Sequence, residues 1–309
     1  MQQDRPLLGI ALMLGFCVMI PFGDALAKLL GPHLSVGQLV LLRFVFQGLI
    51  LIPFTFATGR SWRMPARTLG LVFARSVLQI FGIAFMFLAL IHLPLADAVA
   101  IAFVMPFIML LLGHWFLGEE VGWRRLAACA VGFVGTLLVV QPAFSNVGWP
   151  ALLPLGVAVI FSLFMLVTRQ IAGQTDPVTI QAVGAPMALL VLMPTLFIQT
   201  PMVEWKPVSA DILWLVVAMG SVGTIGHLLM TWSLRYAPTS TLAPMQYLEI
   251  PVATLVGYWI FGDIPGPLAR VGIAVTIAAG LYIVIREHAA SRAQQQVASK
   301  PDPQPQSTE

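Results

Sequence analysis

The chain has 309 residues, of which 59% are hydrophobic and 9% are charged. A soluble domain carries about 25% charged residues because it has to cover its surface with them, so this composition excludes a soluble globular protein and predicts an all-α integral membrane protein. The net charge of +3 is too small to indicate a nucleic-acid partner, and the lipid bilayer is the expected surrounding of most of the chain.

A helix needs about 20 apolar residues to cross the hydrocarbon core of a bilayer. Ten segments, separated by charged, proline-rich and glycine-rich connections, meet this requirement: 7–30, 35–57, 68–91, 95–117, 124–142, 149–172, 177–199, 208–235, 239–261 and 267–285. The first has no small-residue cleavage site, so we predict a membrane helix and not a removed signal peptide. Beyond residue 286 the composition shifts to Gln, Ser, Pro and charged residues, which predicts a disordered cytoplasmic tail over 287–309.

The distribution of lysine and arginine predicts the orientation of these helices. With the N-terminus in the cytoplasm, most of the basic residues fall on or near the cytoplasmic side, and only Lys28, Lys206 and Arg270 fall near the outside. Arg43 and Arg75 lie inside predicted helices. Because cytoplasmic loops carry an excess of Lys and Arg, we expect both termini to be cytoplasmic.

Three ionisable residues occur in the first two predicted helices, where each has a considerable insertion cost. Asp24 lies near the outer end of the first helix and Arg43 early in the second, at depths that differ by only about 3 Å at 1.5 Å per residue. We therefore predict that Asp24 and Arg43 come within ion-pair distance, either in a solute-binding site or as a structural pair that joins the two helices. Lys28, one turn after Asp24, is the alternative partner, and the sequence does not rank the two.

The third and eighth helices carry matching stripes at helical spacing. On the third helix the stripe is polar and cationic, and its members are Arg75, Gln79, Gly82 and Met86. On the eighth it is small and apolar, and its members are Met219, Gly223, Gly226 and Met230. Arg75 and Gln79 are candidates for binding a solute, although Arg75 is shallow enough to extend to the cytoplasmic surface instead. His227 is a candidate because imidazole titrates near neutral pH, with a hydrogen-bonded packing role as the alternative.

The ninth segment contains APMQYLEIPVATLVGYWIFG, residues 243–262, with Glu249 near the middle of the membrane, about 15 Å into the helix. Pro244 and Pro251 flank it and weaken the helix, and interrupted helices are typical of transporter sites. We predict that Glu249, with Gln246 and Tyr247 beside it, contacts a solute or handles protons. A carboxylate that only neutralises an arginine for packing is the alternative.

The sequence also repeats itself. A shift of 144 aligns 75–125 with 219–269 without gaps, and GHWFLGE (113–119) falls on GYWIFGD (257–263). At the same shift Glu249 aligns with Met105, so the glutamate is not part of the sequence pattern that the two halves share. Two halves of five helices each have opposite orientations, and we predict repeats at 7–142 and 149–286. Inverted repeats of this kind indicate a secondary transporter with its site between the halves.

LPLADAVAIAFVMPFIMLLLGHWFLGEEVGWRRLAACAVGFVG (93–135) resembles the core of the EamA repeat of the drug/metabolite transporter superfamily, and IFGDIPGPLARVGIAVTIAAG (260–280) resembles its second copy. The glycine-acid turns that carry this resemblance are Gly118-Glu119 and Gly262-Asp263, which we interpret as scaffold elements. The residues Asp24, Lys28, Arg43-Phe44, Arg75 and Tyr247-Leu248-Glu249 are similar to a subgroup that contains S-adenosylmethionine uptake transporters and riboflavin transporters. The resemblance implies a bundle of ten helices, cytoplasmic termini and alternating access to a central cavity.

From these observations we predict a multi-pass inner-membrane transporter of a small organic metabolite, with riboflavin or S-adenosylmethionine as candidates from the resemblance. An exporter of amino acids or drugs is the alternative within the class. No GxxxxGK[ST], HExxH or paired Cys/His ligand set occurs in the sequence, so no cofactor, metal or catalytic site is predicted, and an intramembrane enzyme is the disfavoured second class. Coupling to protons and a homodimer are left open.

Overall fold

The computed structural model describes residues 5–119, 122–198, 200 and 202–298, and all regular structure within these ranges is helical. Eight segments of this described chain are long and apolar enough to cross a membrane, and a shorter apolar helix lies at Pro267–Tyr282. The all-α membrane class is therefore confirmed. The count of ten spans and the cytoplasmic position of the termini stay predictions.

Twelve α-helices make up the described chain: α1 (Pro6–Leu30), α2 (Val36–Ala57), α3 (Ala66–His92), α4 (Leu95–Ala102), α5 (Met105–Leu117), α6 (Trp123–Val147), α7 (Leu153–Ala172), α8 (Pro177–Leu192), α9 (Ala210–Tyr236), α10 (Thr239–Leu242), α11 (Glu249–Phe261) and α12 (Pro267–Ala298). Three 3₁₀ segments lie between them, at Trp149–Leu152, Met193–Phe197 and Ala243–Leu248. Helix α12 continues to Ala298, into the segment 287–309 for which a disordered tail was predicted. The rest of that segment, 299–309, lies outside the described residues.

Two of the predicted membrane segments are interrupted near their middles. Segment 95–117 ends its first helix at Ala102 and resumes at Met105, and segment 239–261 passes through the 3₁₀ stretch before α11 begins at Glu249. Pro106 explains the first break, because a proline lacks an N–H and its ring clashes with the carbonyl four residues earlier, here that of Ala102. Pro251, in the first turn of α11, acts in the same way on the second.

The boundaries of the helices repeat at the shift of 144 found in the sequence. Helix α3 corresponds residue for residue to α9, and the span from the start of α4 to the end of α5 corresponds to that from the start of α10 to the end of α11. Both spans end in a glycine in the left-handed conformation, Gly118 at φ 65° and Gly262 at φ 71°. Glycine adopts this conformation at little cost, which is why the two turns share it.

The two halves pack against each other. Helix α1 packs along α9, α3 along α7, α2 along α8 and α6 along α12, so every one of these pairs joins the first half to the second. Small residues allow the closest approaches. A Cβ atom built on Gly135 of α6 would lie 2.8 Å from the carbonyl oxygen of Gly272 on α12, a distance that no packed side chain tolerates. The interior of the bundle is thus an interface between the repeats.

We expect Gly135→Ala to separate α6 from α12, because the added methyl group meets the Thr276 hydroxyl at 2.5 Å and backbone atoms of α12 at 2.8 and 3.2 Å. Overpacking of this kind costs about 1–3 kcal/mol, which lowers the apparent melting temperature of the purified protein in a thermal-shift assay. The matched control is Gly70→Ala, on an exposed position of α3 where nothing lies within 4 Å of the new atom. Equal melting temperatures for the two variants would show that this contact does not limit the packing.

Candidate functional site

A cavity lies between the two halves, at the level where the interrupted helices break. Helices α1, α2, α3, α7, α9 and α11 line it, together with Ala102, Phe103 and Met105 at the first break. Its volume of about 70 Å³ leaves room for roughly five water molecules at 10–15 Å³ each. Of the two predicted stripes, Gly82, Met86, Met219 and Gly223 line it. The other four members do not, namely Arg75, Gln79, Gly226 and Met230.

Both breaks contribute the same position to this cavity. Met105 and Glu249 are the first residues of α5 and α11, they correspond at the shift of 144, and both line the cavity. The Glu249 side chain is buried, with 5% of its surface exposed, and within the described chain it forms no hydrogen bond or ion pair. Asp24 on α1 lines the same cavity. Repeat symmetry therefore places a thioether on one side of the cavity and a carboxylate on the other.

Arg43 lies in the cavity wall but does not form the predicted ion pair with Asp24. Its guanidinium donates to Thr224 Oγ1 at 3.2 Å and lies 3.1 Å from His227 Nδ1, both on α9. A Cβ atom at Gly223 would overlap the guanidinium, so the absence of a side chain there makes room for it. The carboxylate oxygen Oδ2 of Asp24 is buried and has no hydrogen-bond partner among the described residues. The pairing was wrong because similar depth along two helices does not fix the direction in which their side chains point.

The alternative pairing of Lys28 with Asp24 is also not formed. The Lys28 ammonium donates to the carbonyl oxygen of Leu93 at 2.8 Å and lies 3.7 Å from Asp263 Oδ2. It also lies over the Phe261 ring, 5.0 Å from the centroid. Lys28 therefore joins the end of α1 to the end of α3 and to the glycine-acid turn after α11, and Asp24 is left facing the cavity.

Arg75 is fully buried, which excludes the alternative that it extends to the cytoplasmic surface. Its guanidinium donates to Thr168 Oγ1 at 3.0 Å, to Thr231 Oγ1 at 3.3 Å and to Gln79 Oε1 at 3.4 Å. The ring of Phe164 lies beneath it at 4.6 Å. All of these partners are neutral, so this buried cation has no carboxylate within ion-pair distance in the described structure.

Helix α9 contacts both Arg43 and Arg75, and it does so through different residues along one of its faces. Thr224 and His227 bind Arg43, and Thr231, one turn further on, binds Arg75. Rings surround the imidazole of His227, with the centroid of Phe161 at 5.8 Å, that of Phe164 at 5.9 Å and that of Phe16 at 6.1 Å. The threonines were not among the sequence-predicted residues. Their spacing of seven residues around His227 is the signal that identifies them.

Gln246 and Tyr247 do not line the cavity. The Tyr247 hydroxyl donates to the carbonyl oxygen of Cys129 at 3.3 Å on α6, and a Cβ at Gly132 would lie 2.6 Å from the tyrosine ring. The Gln246 amide donates to the sulfur of Met165 at 3.2 Å. Both residues belong to the 3₁₀ segment Ala243–Leu248, which has three residues per turn, so their side chains point elsewhere than a continuous α-helix would direct them. Of the QYLE tetrapeptide, Glu249 is the residue that reaches the cavity.

The two glycine-acid turns take part in corresponding clusters at opposite ends of the bundle. We define the Lys28 clamp as Lys28 with the Leu93 carbonyl and Asp263, as described above. The Arg169 clamp consists of Arg169, at the end of α7, which donates to the Leu234 carbonyl and lies 3.7 Å from Glu119 Oε1. Glu119 also accepts hydrogen bonds from the backbone N–H of Thr239, at 3.1 Å, and from its hydroxyl.

Each interrupted span begins at one clamp and ends at the other. The first runs from α4, just after Leu93, to the turn at Glu119, and the second runs from Thr239 to the turn at Asp263. A span of that length covers about 35 Å at 1.5 Å per residue, which is enough to cross a hydrocarbon core of about 30 Å. The clamps therefore lie at opposite ends of the interrupted spans, and the cavity lies between them.

The sequence profile of the EamA-like transporter family matches this chain twice, at residues 7–141 and 148–286. The chain belongs to the EamA-like transporter family. It is similar to the S-adenosylmethionine uptake transporter of Rickettsia felis, with 24% identity over 91% of this chain and 94% of that one. It is also similar to the riboflavin transporter of Rhizobium johnstonii, with 30% identity over 69% of each chain.

A solved crystal structure shares the fold, with a TM-score of 0.65 and 21% identity over 87% of this chain and 94% of the other. The family and the relatives are transporters and not enzymes, as the sequence predicted. With its membrane-spanning helices and bacterial relatives, the chain is a multi-pass protein of the inner membrane.

Substitutions of Arg75 test whether its buried guanidinium stabilises the protein. We expect Arg75→Met to leave the apparent melting temperature unchanged or to raise it, because the cost of burying an unpaired charge offsets the hydrogen bonds to neutral groups that are lost. Arg75→Lys keeps the charge but not the planar geometry that reaches three acceptors, so it should be less stable than Arg75→Met. Thermal unfolding of both variants in one detergent compares them. The opposite ranking would assign Arg75 a structural role.

Proposed function

We propose that the chain carries a small organic metabolite across the inner membrane by alternating access, with the cavity between the repeats as its binding site. The observation that carries this proposal is Glu249, a buried carboxylate without a hydrogen-bond partner in the described chain, at the break of an interrupted membrane helix. An ionisable group at such a depth is costly, and a site for a solute or a coupling ion accounts for its presence. S-adenosylmethionine and riboflavin are the candidate solutes, from the names of the relatives.

A second cavity supports the proposal that the solute enters the central cavity from the end of the bundle that contains the Lys28 clamp. It has a volume of about 510 Å³ and is lined by Lys28, Ser35 and Lys206 among others. Phe87 on α3 lines both this cavity and the central one, so its ring lies between them. In the proposed cycle a solute enters this vestibule, and displacement of Phe87 admits it to the central site.

The two clamps act as the gates in this proposal. Each one joins the turn that ends an interrupted span of one half to helices of the other half, so a clamp has to break before its end of the bundle can open. The ion pairs at 3.7 Å are partly exposed, with side-chain exposures of 21% and 32% for Lys28 and Asp263. Partly exposed pairs contribute only about 0–1 kcal/mol, which suits contacts that form and break in each cycle.

Replacement of Glu249 tests the site. We expect Glu249→Gln to lower uptake of the transported solute into proteoliposomes by at least about tenfold, which corresponds to a loss of about 1.4 kcal/mol of binding. Its melting temperature without solute should be that of the wild type or higher, because an unpaired charge is removed from the interior.

The matched control is Glu204→Gln, the same chemical change at an exposed position in the connection before α9. The solute is first identified by a thermal-shift screen of S-adenosylmethionine, riboflavin, nucleosides and amino acids, because a ligand of the native state raises its apparent stability. Undiminished uptake by Glu249→Gln would remove the glutamate from the transport site.

The clamps make a separate prediction about access. In a protein with both native cysteines replaced by alanine and Met86→Cys placed in the cavity wall, we expect Lys28→Met to speed labelling by a membrane-impermeant maleimide from one face only. Arg169→Met should speed it from the opposite face. The increase should be about two- to fivefold, the change in open population that a loss of about 0.5–1 kcal/mol gives.

Arg60→Met is the control for this experiment. It removes the Arg60–Asp176 ion pair, which joins the α2–α3 connection to the start of α8 and is part of neither clamp. Labelling should stay at the wild-type rate from both faces. Faster labelling from the same face for Lys28→Met and Arg169→Met would contradict the assignment of the clamps to two gates.

A further inference from the structure

The charges that line the central cavity do not balance. Asp24 and Glu249 supply two carboxylates, whereas Arg43 is the basic side chain in the lining. Arg43 also has partners of its own, since its guanidinium is bound to Thr224 and His227. Arg75 does not compensate, because it is absent from the lining and is bound to Thr168, Thr231 and Gln79. With both acids ionised and His227 neutral, the lining has an excess of one negative charge.

Both carboxylates are built into the wall and lack partners there. Asp24 and Glu249 are more than nine-tenths buried, with 8% and 5% of their surfaces exposed. Oδ2 of Asp24 has no hydrogen-bond donor, and neither side chain forms an ion pair with a described residue. A carboxylate in such a place is stable when it is protonated or when a cation neutralises it. One of the two carboxylates therefore has to be protonated, or a positively charged occupant has to neutralise it.

The remainder of the lining favours an organic cation over a small, strongly hydrated one. Phe16, Phe103 and Phe161 line the cavity, and the faces of aromatic rings attract cations that have been stripped of water. Three methionines, Met86, Met105 and Met219, add polarisable sulfur and no hydrogen-bond donors. No cluster of ligands suited to a metal ion is found among the described residues. Carboxylates combined with aromatic faces are typical of sites for sulfonium and substituted ammonium groups.

We propose that the cavity selects its solute by a cationic group, a sulfonium or a substituted ammonium, held between Asp24 and Glu249 and against the phenylalanine rings. This inference rests on the proposed function and goes beyond it, because it assigns the charge of the solute and a role to Asp24. It separates the two candidate solutes. S-adenosylmethionine contains a sulfonium, whereas the ring system of riboflavin is uncharged at neutral pH.

The test compares two probes that differ by one methyl group and one positive charge. S-adenosylmethionine has a sulfonium where S-adenosylhomocysteine has a thioether, and the rest of the two molecules is the same. We expect the purified wild-type protein to bind the sulfonium at least about tenfold more tightly in a thermal-shift titration. Asp24→Asn and Glu249→Gln should each weaken sulfonium binding and leave thioether binding unchanged, so that the ratio of the two affinities approaches one.

The controls keep the proposal falsifiable. Glu204→Gln and Asp211→Asn make the same chemical changes at exposed positions and should retain the wild-type ratio. Melting without ligand shows whether each variant is folded, and if one of the two cavity variants does not fold, the other decides. Equal affinity of the wild type for the two probes, or a ratio that the folded cavity variants leave unchanged, would overturn the inference.

Uptake of riboflavin by the wild type and the two cavity variants distinguishes a failure of this inference from a failure of the proposed function. Accumulation of riboflavin in proteoliposomes, insensitive to Asp24→Asn and Glu249→Gln, would overturn the cation site and leave a metabolite transporter in place. Absence of binding and uptake for every solute in the screen would overturn the proposed function and the cation site together.

Discussion

The absence of water from the bilayer interior is the constraint on which the rest of this structure depends. Every polar group at that depth has to find a partner within the protein, and most of them do. Arg75 is enclosed by two threonines, a glutamine and a phenylalanine ring, and Arg43 by Thr224 and His227. The side chains that remain without partners are therefore informative. Asp24 and Glu249 face one cavity from different halves of the protein, and the proposed function starts from that fact.

The two repeats share their helix architecture, and the candidate site depends on the residues in which they differ. The helix break, the left-handed glycine and the clamp at the glycine-acid turn each occur twice, once for each repeat. Met105 and Glu249 occupy equivalent positions at the breaks and differ in charge. A fully symmetric cavity would have two thioethers or two carboxylates at this level. Glu249 gives the second half a carboxylate where the first half has the Met105 thioether, so the two sides of the cavity differ at this level.

Much of the fold could be predicted from the sequence, because apolar length and repeat spacing determine where helices lie. The predicted segment 68–91 is Ala66–His92 in the structure, and the shift of 144 recurs in the helix boundaries. Side-chain directions could be predicted less well. The Asp24–Arg43 pair was inferred from depth alone, and depth leaves the rotation of each helix undetermined. Tyr247 was assigned to the site because it lies beside Glu249 in the sequence, and the 3₁₀ segment turns it toward α6. The break before Met105 was missed although Pro106 gives the same signal as the prolines near Glu249.

The small size of the cavity has a mechanical consequence. A space of about 70 Å³ holds water but no metabolite, so a bound solute requires the halves to move apart. The helices that pair across the halves, such as α1 with α9 and α3 with α7, leave little freedom for one half to deform by itself. The interrupted spans are different, because each lacks α-helical hydrogen bonds at its centre and joins the two clamps. A bend at either break can open one end while the clamp at the other end stays closed. In the proposed cycle the residue at the second break, Glu249, is also the residue that contacts the solute, so binding acts directly on the point where the helix bends.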